Sequence, residues 1–410
     1  MASIGSQTAP GFARDRTASA IASARRAVLA DRYAINSFTV EWRAIGDLPA
    51  IAEEWRALAA RAIEPNVFYE PGFALAAAPV FGADVGAVLV WSGTAPRELL
   101  GFFPARVSER RYGLRLPVLI GWTHPYAPLG TPLVDRDAAE PVIAAWLAYL
   151  AVDPAVPGLL LLPLVAAHGP FAATLDGILG RAQMPSESFG SYRRALLEPG
   201  DDRAHYLEHA VSTHRLRELQ RSGRRLADRG ALLFTATAAP VAAEIDEFFA
   251  LEAGGWKGEA GTAASSRDDT RVFFKAALAA LALEGKVGLN RLLLDGRAIA
   301  AAVTLRSGGA AWYWKTAYDE SFARQAPGML LTAALTEQLA ADVTIARTDS
   351  CAAPGTAVLD PLWRERLTLS DRLIAVRPEA LFAPVCRLEH LRRAAFQAAK
   401  SVRTRLRRQR

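Results

Sequence analysis

The chain has little cysteine and no pattern that would bind a metal ion. Its two cysteines, Cys351 and Cys386, form no CxxC pair, and Cys351 has no histidine near it in sequence. These observations exclude a disulfide framework and a structural zinc site, and they are typical of a protein in a reducing compartment. We therefore predict a cytoplasmic protein without a metal ion.

Long apolar runs are also absent from the sequence. The longest, LLLLPLVAA at residues 159–167, is too short for a bilayer, which needs about 20 apolar residues. Arg25 and Arg26 near the N-terminus are not followed by the apolar run of a signal peptide, because Asp31 and Arg32 interrupt it. The sequence predicts neither a transmembrane anchor nor export.

Several common catalytic motifs are lacking. The sequence contains no HExxH, no HxH, no G-x-S-x-G, no P-loop and no G-x-G-x-x-G. These absences argue against a zinc protease, a serine hydrolase of the α/β type, and a nucleoside triphosphate or dinucleotide enzyme. His124 and His214 therefore belong to no recognised catalytic pattern.

The length and composition indicate a folded protein with two domains. A chain of 410 residues exceeds the size at which one hydrophobic core stops growing, about 250–300 residues. The apolar fraction of 51% and the charged fraction of 22% are those of a globular protein. Residues 1–35 have no core pattern, and we predict that they are disordered.

Strand and helix patterns occur in the same order in the two halves of the chain. Each half has antiparallel strands, a loop with proline and glycine, a helix and a further strand. Residues 97–107 correspond to residues 296–306, and residues 126–130 correspond to residues 324–328. The pattern predicts an α/β (α+β) protein that arose by internal duplication, with domains at 36–198 and 199–380.

The charge is concentrated at the C-terminus. Residues 384–410 contain nine basic residues and one acidic residue, a net charge of +8, whereas the rest of the chain sums to −2. Six apolar positions at spacings of three and four predict a helix with one apolar face: Leu388, Leu391, Ala395, Ala399, Val402 and Leu406. Such a helix could lie on an anionic surface, peripheral to the inner membrane, bind nucleic acid, or pack on its own domain. The basic helix at residues 214–229 allows an anionic partner or a solvated face.

The most informative local pattern is a strand, a loop and a helix at residues 311–341. Pro327 suits the first turn of a helix, where its missing N–H costs nothing. The N–H groups of Gly328, Met329 and Leu330 and the positive end of the helix dipole would form an anion site, with Arg324 close by. This arrangement could hold a pyrophosphate.

This segment and four others resemble the GNAT superfamily of acyltransferases, in particular the FemAB-like branch that includes the cellulose-biosynthesis CelD-like proteins. The segments are HRLRELQRSGRRLADRGALLF (214–234), GGWKGEAGT (254–262), LLLDGRAIAAAVTL (292–305), YWKTAYDESFARQAPGMLL (313–331) and TDS (348–350). The resemblance implies two tandem GNAT-like domains, each a mixed, mostly antiparallel sheet flanked by helices. The N-terminal domain would be degenerate and the C-terminal domain catalytic.

The resemblance also implies acetyl-CoA or another acyl-CoA as co-substrate. It assigns the donor to a strand and a helix start: Trp314, Thr316, Arg324, Pro327, Gly328, Met329 and Leu330. The phosphate loop departs from the usual family pattern, because RQAPGM has one glycine fewer than Q/R-x-x-G-x-G/A.

Candidate catalytic and acceptor residues lie near this donor site. Lys257, the first lysine of the chain, stands in the loop at 254–262, where its ammonium could hold a carboxylate, a phosphate or an acyl carbonyl. Acyl transfer needs a base and an acid. The polar candidates are Asp349 at a strand end, Tyr318 and Asp319 at the end of the donor strand, and Glu252 at the end of a helix beside the loop, and we expect Asp349 and Tyr318 to lie in the pocket. Trp256 and Trp312 could contact the acceptor. Alternation predicts Trp312 and Trp314 on one face of the strand, with Tyr313 and Lys315 on the other.

The sequence thus predicts an N-acyltransferase that transfers an acyl group from acyl-CoA to an amine or hydroxyl by direct attack. The acceptor would be a small molecule or a glycan, and nucleic acid is not a predicted partner. The resemblance implies a role in cell-envelope or exopolysaccharide metabolism. Two alternatives stay open: a Fem-type transferase that uses aminoacyl-tRNA, and a non-catalytic scaffold in polysaccharide synthesis.

Overall fold

The computed structural model describes residues 23–254, 267–352, 359–378 and 381–408. In these residues, thirteen strands form one mixed sheet flanked by helices. The strands are β1 (Phe38–Ala44), β2 (Val85–Ser92), β3 (Leu99–Arg111), β4 (Leu114–Gly121), β5 (Leu133–Val134), β6 (Leu159–Ala166), β7 (Ser186–Leu197), β8 (Leu232–Ala238), β9 (Val287–Leu294), β10 (Arg297–Ser307), β11 (Ala310–Tyr318), β12 (Arg347–Asp349) and β13 (Glu365–Ala375).

Helices cover both faces of this sheet. They are α1 (residues 23–33), α2 (Ala52–Arg61), α3 (Pro71–Phe81), α4 (Ala139–Val152), α5 (Pro170–Arg181), α6 (Tyr206–Ala210), α7 (Thr213–Ala227), α8 (Ala242–Ala253), α9 (Asp268–Leu283), α10 (Pro327–Ala341) and α11 (Phe382–Arg408). Among the described residues, no helix is long and apolar enough to cross a membrane.

The two halves of the chain repeat one topology. Strands β1 to β4 form an antiparallel run, and a connection that includes α4 leads to β6, which lies parallel to β4. Strands β8 to β11 do the same, and α10 leads to β12, which lies parallel to β11. The predicted correspondences fit this topology, because residues 97–107 overlap β3 and residues 296–306 overlap β10.

The last strand of each half lies in the sheet of the other half. The strand order is β1-β2-β3-β4-β6-β13-β7-β12-β11-β10-β9-β8. Strand β13 therefore lies between β6 and β7, and β7 pairs with β12. The predicted domain limits at residues 198 and 199 thus do not separate two sheets, since the exchange of β7 and β13 makes the sheet continuous.

Successive side chains of a strand alternate between hydrophobic clusters on opposite faces of the sheet. In β2, Leu89 belongs to one core and Val90 to the other. The first core extends through both halves and includes residues of α2, α3, α8 and α9. Helices α3 and α9 approach so closely that a Cβ at Gly72 would lie 3.3 Å from Ala280 Cβ. This close packing joins the halves on one face.

The turn between β9 and β10 follows its sequence signal. Asp295 and Gly296 both have positive φ, 49° and 79°, as the two central residues of a type I′ hairpin require. Glycine takes this conformation without a steric penalty, and aspartate tolerates it better than most residues. Asp-Gly is a preferred pair for this type of turn, and the chain forms it here.

The predicted disorder of residues 1–35 is wrong for its last third. Residues 1–22 lie outside the described residues, but residues 23–33 form helix α1. Leu29 and Tyr33, four positions apart on this helix, are buried against the core that contains α4 and α5. Two apolar residues on one face are therefore enough to anchor a helix that is otherwise polar and alanine-rich.

Candidate functional site

Strands β11 and β12 diverge and leave one edge of β11 open. The parallel pairing comprises Ala310 with Arg347, Ala311 with Thr348 and Trp312 with Asp349. Strand β11 continues to Tyr318, and among the described residues no strand pairs with its second edge beyond Trp312. After β12 the chain turns toward β7, since the Ser350 N–H donates to the Ala195 carbonyl at 3.2 Å. The open edge creates a gap between β11 and β12.

A β-bulge lies where the gap opens. Val303 of β10 pairs with Lys315 and Thr304 pairs with Tyr313, so Trp314 is the extra residue. The bulge places the side chains of Trp314 and Lys315 on the same face, where both contact Phe274. The predicted position of Lys315 beside Tyr313 is therefore wrong, because an inserted residue interrupts the alternation.

Helix α10 begins at the other end of the gap, as predicted. Pro327 is its first residue, and Ala326 before it has a left-handed conformation with φ 49°. A Cβ at Gly328 would lie 3.4 Å from Cδ1 of Tyr318, so glycine keeps the space between strand end and helix start open. The first turn contains no acidic residue. An anion would meet no negative side chain of that turn.

Two of the three predicted free amide groups are engaged within the helix. The N–H groups of Met329 and Leu330 both donate to the Ala326 carbonyl, at 3.0 and 3.1 Å. This leaves the Gly328 N–H, which has no acceptor among the described residues. Leu330 is the fourth helical residue, so its N–H makes the first ordinary helical bond to the Ala326 carbonyl, and Met329 shares this acceptor from one residue earlier.

Basic side chains border the start of α10. Arg324 is exposed on the 3₁₀ turn that precedes it, and the Arg229 guanidinium lies 4.6 Å from the Phe322 ring centre on the same turn. Helix α7 packs alongside, with Gly223 facing Leu330. Four further arginines of α7 are exposed: Arg217, Arg221, Arg224 and Arg225. Exposed arginines thus lie near the helix start, while the acids of the 3₁₀ turn, Asp319 and Glu320, lie at its opposite end.

Asp349 holds the sheet together at the centre of the molecule. Its carboxylate forms an ion pair with Arg194 of β7, and both side chains are more than nine-tenths buried. It also accepts a hydrogen bond from the Cys351 N–H at 3.0 Å, and Arg194 donates to the Pro128 carbonyl at 2.9 Å. Both carboxylate oxygens of Asp349 are engaged in contacts that fix β12 against β7. Burial raises the pKa of the Cys351 thiol, which therefore stays protonated.

The other predicted residues have distinct positions. Tyr318 is half-buried beside Gly328, at the helix end of the gap. Trp312 is buried and lies edge-on to Phe68, and Thr316 donates to the Ala301 carbonyl at 3.3 Å. The structure brings Thr316, Tyr318 and Gly328 to the gap. Trp256 and Lys257 lie outside the described residues.

A loop from the N-terminal half covers the bulge. Trp314 Nε1 donates to the Tyr126 carbonyl at 2.8 Å, and the Lys315 ammonium lies 4.8 Å from the Tyr126 ring centre. His124 of this loop stacks on Phe81 at 4.4 Å, and burial lowers its pKa to about 3, so the imidazole is neutral. The loop forms an aromatic wall over the bulge.

Sequence reasoning did not select the ion pair at the bulge. The Glu252 carboxylate, at the end of α8, lies 3.5 Å from Lys315 Nζ, and its side chain is completely buried. Buried carboxylates are uncommon and are usually paired. The sequence signal for a buried carboxylate was Glu252 itself, an acidic residue that follows an apolar turn at the end of a helix. Within the described part of the chain, no group of side chains could hold a metal ion.

The comparisons with known proteins address the same region. A family model described as an acetyltransferase (GNAT) domain matches residues 213–354. No curated protein sequence matches the chain.

Two solved structures share its fold at low sequence identity. FemX covers 82% of this chain and 98% of its own, with 11% identity and a TM-score of 0.53. A C-terminal domain assigned to lysylphosphatidylglycerol synthetase from Agrobacterium fabrum covers 84% of this chain and 96% of its own, with 12% identity and a TM-score of 0.50. The fold is thus GNAT-like, and the gap with the start of α10 lies inside the region that matches the GNAT acetyltransferase domain.

Proposed function

We propose that the chain transfers an acyl group from acyl-CoA to an amine or hydroxyl acceptor, with the donor lying in the gap between β11 and β12. The observation that carries this proposal is the continuous path along β11. It runs from the bulge at Trp314 to Tyr318 and Gly328, about 13 Å at the usual rise of a strand. One end has the ion pair of Glu252 and Lys315, and the other has the Gly328 N–H with the Arg324 guanidinium nearby.

The open edge of β11 would bind the amide groups of the donor arm. Unpaired N–H and C=O groups of a strand edge accept an extended ligand as they would accept another strand. At the helix end, the Gly328 N–H, the helix dipole and the Arg324 guanidinium would hold the phosphates. The thioester carbonyl would then lie at the bulge.

We assign the proton transfer to the ion pair at the bulge. The acceptor nitrogen or oxygen forms a bond to the thioester carbon while the carbon–sulfur bond breaks, and the thiolate leaves with the electron pair. Glu252 would take the proton that the acceptor loses, and the Lys315 ammonium would stabilise the developing negative charge on the carbonyl oxygen. The thiolate takes a proton from water. Tyr318, about 13 Å from Trp314 along the strand, would contact the phosphate end of the donor.

Titration calorimetry with acetyl-CoA and longer acyl-CoAs tests this proposal. Wild-type protein should bind at least one of them, and Gly328→Trp should abolish binding, because the indole would fill the space beside Tyr318. Gly180→Trp is the matched control, since Gly180 is an exposed helix glycine with no atom within 4 Å of an added Cβ. Loss of binding in both variants, or retention in both, contradicts the proposed donor site.

An aminoacyl-tRNA donor is the second candidate. The exposed arginines of α7 beside the helix start favour it, because a polyanion larger than CoA could extend over them. RNA binding of this kind weakens steeply as salt rises, whereas CoA binding in the gap changes less. The CelD-like assignment, the small-molecule or glycan acceptor and the role in exopolysaccharide metabolism rest on the sequence resemblance alone.

A further inference from the structure

The C-terminal helix α11 is anchored to the body by its first three turns. Val385 and Glu389 are almost completely buried. Glu389 accepts hydrogen bonds from Tyr112, from Arg111 at 3.1 Å and from Arg392 at 2.7 Å. Burial opposes its ionisation, but the hydrogen bonds from Arg392, Tyr112 and Arg393 lower the pKa of Glu389 to about 2. The carboxylate is therefore charged at neutral pH and fixes the helix to the β3–β4 hairpin.

A different face of the same helix is apolar and open to solvent. Leu388 and Leu391 are 38% and 68% exposed, and Ala395 continues their spacing. Phe396 is 68% exposed as well, but seven positions after Glu389 it lies on the side of the anchored residues. The open apolar face is formed by Leu388, Leu391 and Ala395, and two large apolar side chains side by side on one helix face favour contact with an apolar phase.

The tip of the β3–β4 hairpin adds one more exposed apolar residue near this helix. Leu114 follows the turn glycine Gly113 and is 54% exposed. Arg110 and Arg115 on either side of the tip are exposed as well. The hairpin contacts the helix through Tyr112, whose ring lies 5.9 Å from the Arg392 guanidinium. Two separate elements thus present leucine flanked by arginine at one end of the molecule.

The charge of this end is complementary to an anionic surface. Residues 384–410 carry nine basic residues and one acid, and that acid is the buried Glu389. Arg387 and Arg392 are exposed next to the apolar face. Long basic side chains can keep their charge among headgroups while their stems cover apolar surface. A face of exposed leucines bordered by arginines is typical of a helix that lies in a membrane interface.

We propose that α11 and the tip of the β3–β4 hairpin form a docking surface for an anionic lipid bilayer. Leu388 and Leu391 enter the headgroup layer together with Leu114 of the hairpin tip, and the arginines contact lipid phosphates. The anchor at Glu389 keeps the helix attached to the body during docking. The proposal does not depend on the acyl-transfer function, since the docking surface contains no residue of the gap.

Vesicle sedimentation with the full chain tests the docking surface. Binding to vesicles with about one-third phosphatidylglycerol should exceed binding to pure phosphatidylcholine by at least about tenfold, because each basic residue near an anionic surface adds about 1 kcal/mol. The double variant Leu388→Ser with Leu391→Ser should lose at least about tenfold in affinity for the anionic vesicles. Equal binding to both vesicle types, or an unchanged double variant, overturns the proposal.

A matched double variant controls for general stickiness. Leu233→Ser with Leu283→Ser removes two exposed apolar residues, 57% and 92% exposed, from elsewhere on the surface. This variant should bind anionic vesicles as wild type does, and both double variants should unfold at the wild-type urea concentration. An equal loss in both variants would show that exposed apolar residues bind vesicles without a specific surface, and would overturn the proposal.

Two other occupants of the same surface are distinguishable. If a second copy covers it, wild type sediments as a dimer without lipid and the double variant at Leu388 and Leu391 sediments as a monomer. If nucleic acid covers it, the double variant keeps its affinity for duplex RNA or DNA while Arg387→Gln with Arg115→Gln loses it. Either result, together with weak vesicle binding, overturns the bilayer as the partner.

Discussion

The two halves share a topology but differ at the start of the equivalent helix. In the N-terminal half, α4 follows Asp135 and Asp137 and has Glu140 in its first turn, and Asp135 is paired with Arg61. In the C-terminal half, the first turn of α10 has no acid and contains Gly328. Because negative side chains repel an anion from the helix dipole, the shared strand–loop–helix order alone does not create a phosphate site. Whether such a site can form depends on the charge and size of a few residues at the helix start.

The halves also differ in the length and the contacts of the connection that precedes this helix. Residues 319–326 form a short connection from β11 to α10, whereas residues 122–138 form a longer one from β4 to α4. The longer connection reaches β11 of the other half, where the Tyr126 carbonyl accepts a hydrogen bond from Trp314, and its Pro128 carbonyl accepts one from Arg194 of β7. The N-terminal half thus forms a wall over the bulge, and the C-terminal half contributes the helix start of the proposed donor site.

The largest expected effect comes from breaking the ion pair between the halves. Arg194→Met leaves the buried Asp349 carboxylate without its partner, and we expect the free energy of unfolding to fall by about 3–5 kcal/mol. Urea denaturation measures this loss. Arg194→Met combined with Asp349→Leu should recover most of it, because no buried charge then remains. A fall of less than about 1 kcal/mol in the single variant would contradict the central role of this pair.

Placing an acid at the C-terminal helix start makes the halves more alike. Arg324→Glu should weaken acyl-CoA binding about tenfold, equivalent to about 1.4 kcal/mol, because a carboxylate then faces the donor phosphates. Arg136→Glu, an exposed position before α4, is the matched change in the other half and should leave binding unchanged. Titration calorimetry distinguishes the two, and equal effects would contradict the assignment of the donor to one half.

The smallest expected effect comes from removing single tryptophan hydrogen bonds in the aromatic wall and next to it. Trp314→Phe removes the hydrogen bond to the Tyr126 carbonyl, and Trp122→Phe removes one to the Phe81 carbonyl at 2.9 Å. Each should cost about 1 kcal/mol of stability by thermal unfolding. Only Trp314→Phe should also weaken acyl-CoA binding, since Trp314 belongs to the bulge. If both variants bind the donor like wild type, the contact between loop and bulge has no part in the site.

Local patterns predicted the parts of this fold that depend on neighbouring residues. The Asp295–Gly296 turn, the helix start at Pro327 and the order of strands in the halves follow from turn chemistry and periodicity, and all are present. The exchange of β7 and β13 was not predictable in this way, because pairing partners far apart in sequence leave no local signal.

The site was predictable only in part, for related reasons. The bulge at Trp314 adds one residue to an alternating strand, and alternation alone does not reveal it. Asp349 was expected to face the cleft, but its partner Arg194 lies 155 positions away in sequence. Glu252 and Lys315 come from a helix and a strand that only the fold brings within 3.5 Å.

Hydrogen–deuterium exchange with and without acetyl-CoA tests the difference between the halves most directly. The account predicts slower exchange of backbone amides at residues 313–318 and 328–330 when the ligand is added, and no change in β4 or the first turn of α4. Protection at β4 and α4, or no protection in either half at a ligand concentration that saturates binding, would contradict the assignment of the donor to the gap between β11 and β12.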